Sequence, residues 1–224
     1  MTVLAFDCAV SGMTVAVVRD GVRLAGLADE GRDQAARLLP AIAAVLTEAR
    51  VDRRELSLLA TTVGPGSFTG VRVGLAAARG LAVGLAVPLA GITTTAVLLA
   101  QGASRDRLGV AAIDSRLGDW FCAIGDGDAA PFVSSAHDLA VRIGRRPCRV
   151  VGSGAEMLAR ELVAAGIDAL AEEAVPDAVT LARLAANSGI DVWRSRNAEE
   201  GLPRPLYLRG VNITLPDGAR RTVD

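Results

Sequence analysis

Leu59-Ala60-Thr61-Thr62-Val63 runs into Gly64-Pro65-Gly66-Ser67-Phe68-Thr69-Gly70 and then Val71-Arg72-Val73-Gly74. Apolar and β-branched residues read as a buried strand, the glycines and proline as a loop, and Ser67 or Thr69 as the cap of a helix. The same order returns at Arg149-Val150-Val151-Gly152-Ser153-Gly154, followed by a helical stretch to Ala165. A second pair of segments also repeats. Phe6-Asp7, a gap, a strand and Asp20-Gly21 are matched by Ile113-Asp114, a gap, a strand and Asp126-Gly127. A repeat of such long period predicts two similar lobes, residues 1–103 and 104–224. Each lobe should hold a mixed sheet with helices on its faces, an α/β fold. The helix expected over Pro176–Asn187 would pack back on the first lobe.

Between these landmarks the pattern gives further elements. Val3–Phe6, Thr14–Arg19 and Val22–Ala28 read as strands, the last two joined by the two-residue turn Asp20-Gly21. Arg32–Arg50 has helical spacing through Leu38, Leu39, Ile42, Val45 and Leu46, with Pro40 inside it as a kink or as the true start. Leu56–Thr62 is a strand, and a helix is expected from about Thr69 to Gly84. Pro88–Ile92, Val110–Ile113 and Trp120–Ile124 are strands, and Thr93–Thr95 can cap a helix to Gln101. After Arg209 the tail turns polar and is expected to be loose.

Composition narrows the chemistry. Of 224 residues, 51% are hydrophobic but only 3% aromatic, so Ala, Val and Leu must build the core. A net charge of −1 gives no overall field for nucleic acid. All 24 basic residues are Arg, which removes P-loop, Schiff-base and catalytic lysines together. Cys8, Cys122 and Cys148 follow neither a metal nor a disulfide spacing and suit a reducing cytoplasm. The apolar run Val71–Leu89 is broken by Arg79 and reads as a soluble helix, with no membrane partner. His137 is the one histidine, so no metal site and no catalytic triad is expected.

Two carboxylates stand at strand ends. Asp7, followed by Cys8-Ala9-Val10-Ser11-Gly12, either holds a metal-bound nucleotide or simply caps a turn; Asp114 poses the same choice. The loop Gly64–Gly70 resembles a phosphate cradle but is no Walker A motif, because Val71 and Arg72 stand where Lys and Ser or Thr belong. Arg72 could bind an anion. In the helix that follows, Gly70, Gly74, Ala77, Leu81 and Gly84 recur at three and four residues, so they share a face almost bare of side chains. Each glycine inside a helix costs about 1 kcal/mol against Ala, and close approach of another helix is a physical reason for them. That helix belongs either to this chain, which composition favours, or to a partner.

Taken in order, Leu4-Ala5-Phe6-Asp7, Arg37-Leu38-Leu39-Pro40, Gly64–Gly74, Ala112-Ile113-Asp114-Ser115-Arg116 and Pro205-Leu206-Tyr207-Leu208-Arg209 resemble the bacterial TsaB (YeaZ) family. The Gly64–Gly74 segment is the specific one. The resemblance implies a duplicated, two-lobed actin-like (ASKHA) fold. It also implies a cytoplasmic, non-catalytic subunit for making threonylcarbamoyladenosine at position thirty-seven of tRNAs that read codons starting with A. Its implied partners are the paralogue TsaD, the ATPase TsaE, a second copy of itself when alone, and tRNA through the complex. The chain alone would bind no cofactor, ATP being used by the complex. The helix after the glycine loop would be the interface, through Gly70, Val71, Val73, Gly74, Ala77, Ala78, Leu81 and Gly84. Asp7, Ser11 and Asp114 would be a vestigial nucleotide site; an actin-like kinase or ATPase is the alternative. Gln34 stands where many relatives carry His.

Overall fold

The computed structural model describes residues 1–126, 129–209, 211–214 and 220–223. Gly127, half of the second Asp-Gly turn, lies outside them.

Two five-stranded sheets share one plan. The first comprises β1 (Thr2–Asp7), β2 (Met13–Arg19), β3 (Val22–Asp29), β4 (Leu58–Thr62) and β5 (Leu89–Ile92), in the order β3-β2-β1-β4-β5. β1 pairs antiparallel with β2 and parallel with β4, with Leu4 opposite both Val17 and Leu59. The second comprises β6 (Leu108–Asp114), β7 (Trp120–Ile124), β8 (Phe132–Ser134), β9 (Cys148–Val151) and β10 (Ala169–Glu172), in the order β10-β9-β6-β7-β8. Again the first strand pairs antiparallel with its hairpin neighbour and parallel with the strand beyond. The long-period repeat in the sequence is therefore a repeat of topology.

The alternation along β1 sorts the first core. Leu4 and Phe6 face α1 (Gln34–Ala49) and α2 (Phe68–Leu85), meeting Leu38, Ile42, Val45 and Ala78. Val3 and Ala5 face the other way, onto α6 (Ala178–Ser188), where Leu181, Ala182 and Ala185 are fully buried. Thus α6, late in the chain, covers the back of the first sheet. Trp193 of α7 (Ile190–Glu200) joins that layer and donates its Nε1–H to the Ala185 carbonyl at 2.8 Å. In the second sheet Val110, Ala112 and Val150 face α4 (Ala136–Ile143) and α5 (Ala155–Ala164). α3 (Thr94–Gln101) lies between the sheets, with Val97 in one core and Leu98 in the next. All three cysteines are buried and free; burial pushes the Cys8 and Cys122 thiols up to about 12.

Three expectations change. α1 starts at Gln34 and runs through Pro40. Pro40 costs the helix one hydrogen bond, at a surface position where water can serve the freed carbonyl. The tail is not loose throughout, because β11 (Val211–Thr214) and β12 (Arg220–Val223) pair antiparallel. Finally, α7, where the sequence reading placed no element, carries mostly polar residues around one anchoring Trp193, too little apolar periodicity to announce a helix.

Candidate functional site: the glycine loop, two clefts and helix α2

The glycine loop sits on the turn between β1 and β2. Ser67 N–H donates to the Ala9 carbonyl at 2.6 Å, and a Cβ on Gly66 would lie 2.1 Å from that same oxygen. Only glycine permits this approach. Ser67 then caps α2, its Oγ accepting from Gly70 N–H at 3.2 Å. Asp7 lies beneath. Its carboxylate accepts from Ala9 N–H at 3.1 Å and from the Thr62 hydroxyl, and it is 1% exposed. Burial raises its pKa to about 6, against the lowering effect of those two hydrogen bonds.

Ser11 and Asp114 are placed differently. Both line an open cleft of about 440 Å³ between the two repeats, with Ser67, Ser115, Arg116 and Ser153 on its walls. Asp114 accepts from Arg116 N–H at 2.7 Å, which fixes the second hairpin turn. The sequence-predicted trio is thus split, with Ser11 and Asp114 on the cleft and Asp7 sealed under its floor.

A second cleft, of about 280 Å³, opens on the other side of the loop. Pro65, Phe68 and Val71 form one wall; Leu117 and Phe121 of the second hairpin and Leu206–Arg209 form the other. Leu206 N–H donates to the Val63 carbonyl at 2.8 Å, so the late Pro205–Arg209 segment is stitched to the end of β4. Arg72 lies with its guanidinium 3.1 Å from the Phe68 ring centroid and 5.1 Å from that of Tyr207. Sequence reading missed Leu117, Phe121 and Tyr207 as wall residues. The Pro205–Arg209 run was visible, but only the fold brings it to the glycine loop.

Helix α2 has two distinct sides. A Cβ on Gly70 would lie 1.9 Å from the Cys8 carbonyl oxygen, and one on Gly74 would lie 3.4 Å from Thr61 Oγ1. Val71, Ala78 and Ala82 are buried beside them. Gly70, Gly74 and Ala78 are therefore packed against this chain's own strands, and Val71 packs with Val63 and Leu206 at the edge of the second cleft, so these four residues of the expected interface are buried in the isolated chain. Ala77 and Leu81 are half-buried against the core that α1 helps to form. The uncovered side carries Thr69, Ala76, Arg79, Gly80, Val83 and Gly84. Nothing stands within 4 Å of a Cβ placed on Gly80 or Gly84, and Val83 is 73% exposed. By length and composition alone α2 could cross a membrane, and about a third of it is buried. At its neighbour's start, Gln34 donates to the Gly12 carbonyl at 3.3 Å and ties α1 to the β1–β2 turn.

Among the described residues no three His, Cys, Asp or Glu groups gather as metal ligands. His137 is exposed on the first turn of α4 and lines neither cleft.

Residues 29–140, half of the chain, match the family described as TsaD, tRNA N6-adenosine threonylcarbamoyltransferase. The tRNA threonylcarbamoyladenosine biosynthesis protein TsaB of Escherichia coli is 38% identical over 126 residues, 55% of this chain and 54% of that protein. The chain belongs to this family, as a TsaB (YeaZ)-type member. Bacillus subtilis TsaB is 30% identical over 119 residues, covering 53% and 52%. The matched stretch spans about half the length of these TsaB relatives. A solved structure of YeaZ from Pseudomonas aeruginosa superposes with a TM-score of 0.73 at 26% identity, over 92% of this chain and 99% of that one. A second solved structure, described as an uncharacterized protein with similarity to peptidase YEAZ from the same organism, gives 0.74 at 26% over 93% and 99%. The activator of 2-hydroxyisocaproyl-CoA dehydratase from Clostridium difficile, at 9% identity and a TM-score of 0.53, shares the fold. Like these, the TsaB-type chain has an actin-like α/β architecture, two mixed sheets flanked by helices.

Proposed function

We propose that this chain is a non-catalytic subunit of a cytoplasmic complex that attaches threonylcarbamoyl to adenosine thirty-seven of tRNAs reading codons that start with A. It acts by holding a homologous TsaD-type protein on the outer side of α2. One observation carries the reading: α2 offers Ala76, Gly80, Val83 and Gly84 to solvent, with open space over both glycines. A glycine that nothing crowds gains nothing for the isolated fold, at about 1 kcal/mol each against Ala. A flat, apolar helix side with no cover is a surface for another helix. Arg79 on that side fits pairing with a protein better than insertion into a membrane.

In this reading the chain alone binds no cofactor and cleaves no peptide. ATP serves the complex through a TsaE-type ATPase, and tRNA is reached through the complex. Without the TsaD-type protein, α2 pairs with α2 of a second copy. The test is co-expression with the TsaD-type protein of the same genome. Wild-type chain should co-purify with it and Gly80→Arg should not, and omission of either protein should abolish tRNA modification. Undiminished co-purification of Gly80→Arg contradicts the reading.

An actin-like kinase or ATPase is favoured by one feature, the cleft that Ser11 and Asp114 share. Titration calorimetry with ATP and magnesium separates the two. Tight binding that weakens in Asp114→Ala supports the second reading.

A further inference from the structure

The 280 Å³ cleft on the far side of the glycine loop is walled almost wholly by apolar groups, and its mouth carries the exposed rings of Phe68 and Tyr207 and the side chain of Leu117. Phe68 is 50% exposed, Tyr207 42% and Leu117 72%. Three large apolar side chains left open around one hollow form a patch that a monomer does not need.

The charges there are one-sided. The Arg72 guanidinium lies over both rings, yet its Nη1 is buried with no hydrogen-bond partner among the described residues. That nitrogen is sealed from solvent, but the guanidinium as a whole forms no ion pair among the described residues, so its charge beside the two rings is the one an incoming carboxylate would meet. Arg209, on the wall, is paired with Asp119, and no carboxylate is among the residues that line the cleft. At 280 Å³ the hollow is at the small end of ligand sites and suits an anchor side chain rather than a whole cofactor. Its lining is mostly apolar, with Ser67, Tyr207 and Arg209 as its polar side chains, which suits an apolar anchor better than a nucleobase edge.

We propose that this cleft is a docking socket for an acidic peptide segment of a partner protein. One Leu, Phe or Trp side chain of that segment fills the hollow, and a neighbouring Asp or Glu meets Arg72. The socket lies beyond the α2 pairing surface, and its use does not depend on that pairing.

Fluorescence anisotropy on the full chain tests it with three labelled probes. These are an eight-residue peptide pool with a central Leu, Phe or Trp flanked by Asp or Glu, the same pool with Lys and Arg as flanks, and octauridylate. The acidic pool should bind, and binding should fall by about ten-fold or more in Arg72→Gln and in Leu117→Glu, each losing one charge-complementary or apolar element of the socket. Leu117 is so exposed that Leu117→Glu keeps the fold, and an unchanged melting temperature verifies this. The proposal is overturned if the acidic pool fails to bind at millimolar concentration, if the basic pool binds as well, if octauridylate binds instead, or if Leu117→Glu binds the acidic pool as wild type does.

Discussion

Gly70 and Gly74 at one end of α2, and Gly80 and Gly84 at the other, are the same residue in the same helix, with opposite reasons to be there. The first pair lies against β1 and β4, where the Cys8 carbonyl and Thr61 leave little or no room for a side chain. The second pair meets nothing within 4 Å. A glycine kept by internal crowding tells of the fold; a glycine kept in open space tells of something that arrives. Only the second kind points to a partner.

That contrast can be broken by substitution. Gly70→Leu should have the largest effect. Its Cβ alone would sit 1.9 Å from a backbone oxygen, so unfolding in urea should show a loss of about 3 kcal/mol or more, or no folded protein at all. Gly74 is the graded case. Gly74→Ala meets Thr61 Oγ1 at 3.4 Å, an ordinary contact, and should be neutral or gain up to about 1 kcal/mol, whereas Gly74→Leu should cost about 1–3 kcal/mol. Gly80→Ala should gain about 1 kcal/mol in the isolated chain, because helix propensity is the one quantity that changes.

The two repeats differ in the same instructive way at their carboxylates. Asp114 sits on the open cleft and Asp7 under its floor, with a pKa raised to about 6 by burial. A raised carboxyl pKa means the folded state binds the proton more tightly than the unfolded chain does. Asp7 therefore disfavours folding above pH 6, and this burden disappears as pH falls toward the ordinary carboxyl value. The Asp7 contribution should make stability decline between about pH 4 and 6 by up to about 3 kcal/mol, and Asp7→Asn should flatten that slope in pH-dependent urea melts. The smallest effect expected is chemical. Cys8 and Cys122, with thiols near 12, should resist thiol reagents in native buffer and react once unfolded.

Much of the fold was legible because local and long-range signals agree. Asp20-Gly21 closes β2 to β3, and the repeat of strand, carboxylate and turn foretold the repeat of sheets. The site was legible only in part. Residues along a helix turn by about 100° each, so Gly70, Gly74, Ala77, Leu81 and Gly84 do share a stripe. Spacing cannot say which way a stripe faces. This one lies on the seam, with Gly70 and Gly74 at its buried edge and Gly84 at its open edge, and the outer side proper runs through Thr69, Ala76, Gly80 and Val83. The apolar cleft was illegible for another reason. Phe68, Leu117 and Tyr207 are far apart in sequence; the β6–β7 hairpin brings Leu117 to the cleft, and the hydrogen bond from Leu206 to Val63 brings Tyr207. Gln34, which stood out beside its relatives, makes a local tie to Gly12 that needs no imidazole.

The central claim is that the outer side of α2 holds the partner, and hydrogen exchange on the chain with and without its TsaD-type protein tests it most directly. Backbone amides around Ala76–Gly84 should gain protection in the wild-type pair. They should gain none when Gly80→Arg is mixed with the same protein, at an unchanged melting temperature. Protection elsewhere with none on α2, or protection of α2 that persists in Gly80→Arg, would contradict the account.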